Sequence, residues 1–351
     1  MIALQAETPR SLAAKVDALD EAEARRVVAA VHRDDPIDVP IRGVRRTALE
    51  AVRGACAIPT LVRAFEQRSA VDPFRKLVLS GSDGLRFETV RIPLEKAGRF
   101  SVCVSSQVGC ALACAFCATG RMGLLRNLET WEIVEQVREV RRTLDVGERI
   151  HGVVFQGMGE PLANLDRVLA AIAVVTDPCA KPLDARAITV CTAGIPSGIR
   201  RLAKDAPRVR LGISIGSAIR GDRASLMPID AAHPLDDVLD AAATWARASG
   251  YAPMWAVTLL EGRNDSLEHA QALAERAKRF EAAAGVRPRI SLIPYNAIGE
   301  GTKLEPFRRS PAHARFRDEL ARHGVFSHER YSGGADIAAA CGQLSALGVG
   351  P

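Results

Sequence analysis

Aromatic side chains are scarce in this chain: 3 Trp, 3 Tyr and 10 Phe supply 5% of its 351 residues. That scarcity excludes a broad stacking platform of the kind many single-strand binders use, so any base recognition has to rest on a packed pocket. Long apolar runs are missing as well. The Ala/Val-rich stretch from Leu169 to Val175 is far shorter than the roughly 18 residues a membrane span needs. No N-terminal signal pattern, internal repeat or low-complexity segment is present, and the seven histidines are scattered without ligand spacing. A large excess of one charge is absent too. Lys and Arg number 47 against 41 Asp and Glu, a net +6, which permits a nucleic-acid partner without requiring one. With 48% hydrophobic residues the chain can bury one large core, or one core and a small accessory domain. The eight cysteines lack the spacing of a small disulfide scaffold, which points to a reducing compartment and the cytoplasm.

What the chain does have is a cysteine cluster. Cys110, Cys114 and Cys117 stand in the run Gly109-Cys-Ala-Leu-Ala-Cys-Ala-Phe-Cys-Ala-Thr-Gly120, with gaps of three and two residues. Three thiolates can hold three corners of an iron-sulfur cubane and leave the fourth iron open to bind and cleave a cofactor. A structural zinc site would fill all four positions. Cys103, just upstream, keeps that zinc alternative open as a fourth ligand. Cys341 lies among small residues, Gly333-Gly-Ala335 and Ala338-Ala-Ala-Cys-Gly342, which let a bulky group approach its sulfur. A buried cysteine acting as a small hydrophobe accounts for the same residue.

Patterning predicts an α/β chain. Residues 11–68 read as short helices broken by Asp34-Asp-Pro-Ile-Asp-Val-Pro40, and Leu77–Pro93 as a hairpin turning at Ser82-Asp-Gly84. Together they predict a small N-terminal domain over residues 1–95. Beyond it, apolar strands at Gly152–Phe155, Ile188–Cys191, Arg210–Ile215, Trp255–Leu260 and Ile290–Ile293 alternate with amphipathic helices, which predicts a parallel sheet over residues 96–345. A tail, 346–351, follows. In the helix after the cysteines, Ile133, Val134, Val137, Val140 and Leu144 share one face. Arg138, Glu139, Arg141 and Arg142 face away, and Thr130 can cap the start.

Four blocks in order, Cys103-Val-Ser-Ser-Gln-Val-Gly-Cys110 with the triplet, Gly157-Met-Gly-Glu-Pro161, Leu292-Ile-Pro-Tyr-Asn296 and Asp336-Ile-Ala-Ala-Ala-Cys-Gly-Gln-Leu344, carry a wider resemblance. Over roughly residues 85 to 345 the chain resembles the RlmN/Cfr family of radical S-adenosylmethionine RNA (adenine) methyltransferases. The resemblance implies an incomplete (β/α)6-type barrel with its site at the C-terminal ends of the strands. It implies a 4Fe–4S cluster on Cys110, Cys114 and Cys117, and S-adenosylmethionine consumed twice per turnover. One molecule would methylate Cys341 and a second would yield the radical that activates that methyl, since an unreactive adenine carbon cannot be methylated by simple displacement. Cys103 would then release the base by attacking the Cys341 sulfur.

The resemblance further assigns Glu88 a proton-accepting role, although a strand residue paired with Arg86 or Arg91 is the plain reading of that position. It places Gly159, Glu160, Cys191, Ser214, Ile215, Gly216 and Asn296 around S-adenosylmethionine. The implied substrate is C2 or C8 of an adenosine in 23S rRNA or tRNA, the implied electron donor a flavodoxin- or ferredoxin-type protein, and a monomer is expected. Six arginines between residues 41 and 68 (Arg42, Arg45, Arg46, Arg53, Arg63, Arg68) suit a phosphate-facing surface or an ordinary solvated helix face. The chain departs from the family pattern at Ser214-Ile-Gly216, where Ser-Leu-His is common, at Cys191, where serine is common, and after Asn296. A radical methylase of a non-RNA substrate and a zinc-stabilised RNA-binding protein are the alternative readings.

Overall fold

The computed structural model describes residues 1–298 and 307–345. Most of the divergent stretch Ala297–Lys303 and the tail 346–351 lie outside the described residues. Ten strands form one sheet in strict chain order. They are β1 (Val62–Arg68), β2 (Arg75–Ser80), β3 (Arg86–Pro93), β4 (Arg99–Val104) and β5 (Arg149–Phe155), then β6 (Ile188–Thr192), β7 (Arg210–Ser214), β8 (Met254–Leu259), β9 (Arg289–Pro294) and β10 (Ser327–Glu329). Neighbours from β1 to β4 are antiparallel. Every pairing from β4 onward is parallel.

Parallel neighbours need crossovers, and helices supply them. In chain order the helices of seven or more residues are α1 (Pro9–Lys15), α2 (Glu21–His32) and α3 (Arg46–Ala55) before the sheet, then α4 (Thr130–Arg141), α5 (Leu165–Thr176), α6 (Pro196–Asp205), α7 (Leu235–Ser249), α8 (Leu267–Ala284) and α9 (His313–Arg322). Their apolar stripes close on β-branched and aromatic strand residues such as Val102, Val153, Ile188, Ile213 and Trp255, all buried. Among the described residues β10 does not pair with β1, so the parallel part is a partial barrel, as expected. Helices α1 to α3 bury a separate core of Leu4, Leu12, Val27, Val28, Val31 and Val52.

Three local expectations are corrected. Residues 62–68, read with the helices, are a strand, because β1 can hydrogen-bond to the edge of β2 across residues 62–80. Helix α4 starts on Glu129, which forms a reciprocal cap with Glu132, so Thr130 is already helical. Arg138 and Glu139 are buried, not solvated. Arg138 donates to the Val31 carbonyl at 3.0 Å and to Asp34 at 2.6 Å, and Glu135 beneath it is paired with both Arg138 and Arg142. The polar face of α4 is the seat on which the N-terminal helices rest.

Candidate active site

Strand β5 ends on Phe155, and the chain turns through Gln156-Gly-Met-Gly-Glu160 at the C-terminal end of the sheet. Glycine is required twice in that turn. A Cβ on Gly157 would lie 2.6 Å from the Val104 carbonyl, and Gly159 adopts φ +99° with its would-be Cβ 2.5 Å from Gln107. Hydrogen bonds fasten the turn to the first parallel strand. Met158 N–H donates to Ser105 Oγ at 2.9 Å, Ser106 N–H to the Met158 carbonyl at 2.8 Å, and Glu160 N–H to Gln107 Oε1 at 2.8 Å.

Glu160 is buried, and its carboxylate accepts from the backbone N–H of Ala193 at 2.8 Å and of Leu162 at 3.0 Å. Burial pushes its pKa up, and these donors work against that by favouring the ionised form. The next two strand ends are held by a buried arginine that sequence patterning did not single out. Arg223 donates to the Ile215 carbonyl at 2.9 Å and to the Ser214 and Ala193 carbonyls, and it is neutralised by Asp230 at 2.8 Å. Asn264 plays the same part for the Gly216 carbonyl at 2.7 Å.

Above these ends lies a cavity of about 150 Å³. Cys110, Cys114, Cys117, Gly159, Glu160, Cys191, Ser214, Gly216 and Cys341 all line it. Cys117 and Cys341, 224 positions apart in sequence (341 − 117), therefore meet here. Ile215 and Asn296 are not among the lining residues: the Ile215 N–H donates to the Ala256 carbonyl at 2.9 Å, and the residue borders a separate small void. Asn296 holds the late cysteine, donating to the Cys341 carbonyl at 3.1 Å and to Ser332 Oγ at 2.8 Å.

The cysteine loop is carried by a small hairpin, Gln107–Cys110 with Gly123–Asn127. Its half-buried apolar residues Leu112 and Phe116 pack against a cluster that includes Met227, Tyr295 and Phe307. Burial pushes the thiol pKa of Cys110 up to about 11 and that of Cys114 to about 12, with the neighbouring thiols adding to the effect. Among the described residues no three His, Cys, Asp or Glu side chains converge on one point as a single metal ion requires. Three half-buried thiols spread around one cavity suit the wider donor span of a polynuclear cluster, and the three residues fit a three-cysteine iron-sulfur site. Cys103 stands apart from the triplet as a ligand. It is buried on β4, with the Gln156 backbone N–H directed at it and Cys341 and Cys191 as its thiol neighbours. The four-cysteine zinc arrangement is not formed.

The C-terminal segment docks across the top. Ala118 N–H donates to the Gly342 carbonyl at 2.8 Å, Thr119 to the Leu344 carbonyl, and Lys76 to the Ala338 carbonyl at 3.2 Å. Glu88 is a buried strand residue of β3. Its carboxylate pairs with Lys76 at 3.0 Å and accepts the Ser345 N–H at 2.9 Å, so the partner it takes is neither Arg86 nor Arg91. It is not among the residues lining the cavity. Patterning also missed Arg330, which follows β10. Its guanidinium donates to Gln156 at 3.0 Å, and Cys341, with Cys191 and Cys103, favours its charged form against burial. A sequence signal existed, since Arg330 lies 11 residues before Cys341 in the same short segment, but a lone arginine carries no spacing rule.

A partial parallel barrel with a three-cysteine loop after its first parallel strand and a Gly-rich turn after the second defines a radical S-adenosylmethionine protein. Residues 104–277 match the Radical SAM superfamily. The chain is 56% identical to a probable RNA methyltransferase of Sorangium cellulosum, over 93% of this chain and 88% of that one. It is 40% identical to the dual-specificity RNA methyltransferase RlmN of Anaeromyxobacter, over 91% and 82%. A crystal structure of a radical SAM methyltransferase from Sphaerobacter thermophilus superposes with a TM-score of 0.85 at 31% identity, covering 99% of this chain and all of that one. The chain belongs to the RlmN/Cfr family of radical SAM methyltransferases.

Proposed function

We propose that this protein methylates an adenosine carbon, C2 or C8, in ribosomal or transfer RNA, with Cys341 as methyl carrier and Cys103 as resolving thiol. The observation that carries the reading is the docking of the Ala338–Ser345 segment onto the cysteine loop, which brings Cys341 to the wall of the same cavity as Cys110, Cys114 and Cys117. A non-RNA radical methylase would need the same thiols, and the RNA methyltransferase relatives favour RNA.

In this reading Cys110, Cys114 and Cys117 hold a 4Fe–4S cluster, which when bound supplies reductive cleavage of S-adenosylmethionine to a carbon radical. Gly159, Glu160, Cys191, Ser214, Gly216 and Asn296 surround that cofactor, with the Glu160 carboxylate facing its amino group. The family's usual imidazole is absent at Gly216, where φ is +69° and a Cβ would strike Met227 Sδ at 2.7 Å. Cys341 bears the methyl, and its small neighbours leave room for the base. Once the base is joined through that carbon, the Cys103 thiolate attacks Cys341 Sγ, a disulfide forms as the bond from that sulfur to the methylene carbon breaks, and the methylene keeps the electron pair, takes a proton and leaves as the methyl group of the base. Glu88, ion-paired with Lys76, can take the ring proton only when the segment that covers it shifts. A flavodoxin- or ferredoxin-type donor supplies electrons.

Nucleoside mass spectrometry of RNA from cells producing the protein tests the reading. A methyladenosine that appears with the wild type and is lost with Cys341→Ala is expected. RNA unchanged by the wild type contradicts it.

A further inference from the structure

The release step needs a thiol that can reach the sulfur of Cys341, and two thiols are placed for it. Cys191, where serine is usual in the family pattern, lines the cavity together with Cys341, whereas Cys103 is not among the lining residues. Strands β4, β5 and β6 are adjacent, with Cys103 paired to Val154 and Val154 to Thr189, so Cys191 lies two residues beyond Cys103 toward the site end of the sheet. Gly212 on β7 makes room for it, since a Cβ there would come within 2.8 Å of Cys191 Sγ. Both thiols are buried, and Cys341 is partly exposed, so a dithiol reductant reaches a disulfide here through Cys341. Burial pushes the Cys191 thiol up to about 12, and Arg330, fixed by Gln156, works against that as a cation placed among Cys103, Cys191 and Cys341.

We propose that Cys191 is a second resolving thiol, which pairs with Cys341 and releases the methylated base when Cys103 does not. The inference rests on the carrier role assigned to Cys341 above. The Cys191 thiolate attacks Cys341 Sγ, forming an S–S bond and breaking the bond between that sulfur and the methylene carbon. The electron pair stays on the methylene, which takes a proton and becomes the methyl group. Two thiols are thereby oxidised as the methylene is reduced, and a dithiol reductant restores both before the next turnover, as it would for a Cys103–Cys341 disulfide.

Two measurements on holoenzyme test this. The first is non-reducing peptide mapping of Cys103→Ala protein after diamide oxidation. A Cys191–Cys341 linked peptide is expected, and its absence overturns the proposal whatever happens with RNA. The second is the amount of nucleotide left on the Cys341 peptide, after nuclease digestion, in Cys103→Ala and in Cys103→Ala/Cys191→Ser proteins purified from cells. Serine preserves the volume at this buried position. A several-fold greater amount in the double variant is expected, and equal amounts overturn the proposal. If neither protein carries a nucleotide while the linked peptide forms, the carrier reading fails and the thiol pairing stands.

Discussion

Single residues in the site are constrained by space and by charge in ways that separate their roles. Gly159 combines a left-handed φ of +99° with a contact 2.5 Å from Gln107. Gly159→Ala is therefore expected to cost about 1–3 kcal/mol in local strain and to lower the melting temperature, as scanning calorimetry would record. Cys114 shares its cavity with four other thiols and is not needed to build the barrel, so Cys114→Ser is expected to fold and to lose iron and the brown visible absorbance together. A variant retaining full absorbance would remove the cluster assignment. The triplet was legible in the sequence because three cysteines at tight spacing have few explanations. Glu160, Gly159 and the late cysteine were legible through motif likeness. Arg223 and Asn264 were not, since each works by donating to carbonyls at strand ends that exist only after the sheet has formed.

At the scale of elements, strands and helices followed from apolar patterning, and the errors fall where polar residues are buried. Arg138 and Glu139 read as a solvated face because charge in a helix is usually exposed. The α4 face instead meets the N-terminal helices through Asp34, Glu135 and Arg142. Replacing Arg138 with Ala leaves buried Glu135 short of a partner and is expected to destabilise by about 3 kcal/mol, measurable by urea unfolding. Burial raises the Asp34 pKa, but its hydrogen bonds from Arg142 and Arg138 outweigh that and hold it below the usual carboxylate value. A depressed folded-state pKa contributes stability above the unfolded pKa and loses it as pH falls through the folded one. Wild type is thus expected to exceed Asp34→Asn in stability at neutral pH, with the difference shrinking below about pH 4. A pH-independent difference would mean that the contact is not ionic. Asn suits the φ of +62° at this position, so the comparison isolates the charge.

The whole molecule presents one site and a separate basic surface. Of the six arginines between residues 41 and 68, Arg45 pairs with Glu23, Arg63 with Glu139 and Arg68 with Glu66, while Arg53 donates to the Ile37 and Val39 carbonyls. Those residues fasten the fold, which a count of charges could not reveal. In the groove lined by Arg25, Arg26, Arg33 and Arg42, Arg25 pairs with Glu21 and Arg33 with Asp35, which makes Arg26 and Arg42 the candidates for phosphate contact. RNA affinity is expected to fall with salt. Arg26→Gln/Arg42→Gln should flatten the slope of log K against log salt by about two phosphate contacts, read by filter binding across a salt series. An unchanged slope would move the RNA surface elsewhere.

The central claim is that Cys341 is a methyl carrier, and the mass of its own peptide tests this most directly. Protein purified anaerobically, reduced and alkylated should yield a Cys341 peptide that carries a methyl group and resists iodoacetamide, while Cys103 and Cys191 are alkylated. A Cys341 that is fully alkylated and never methylated, in protein with an intact cluster, would contradict the account.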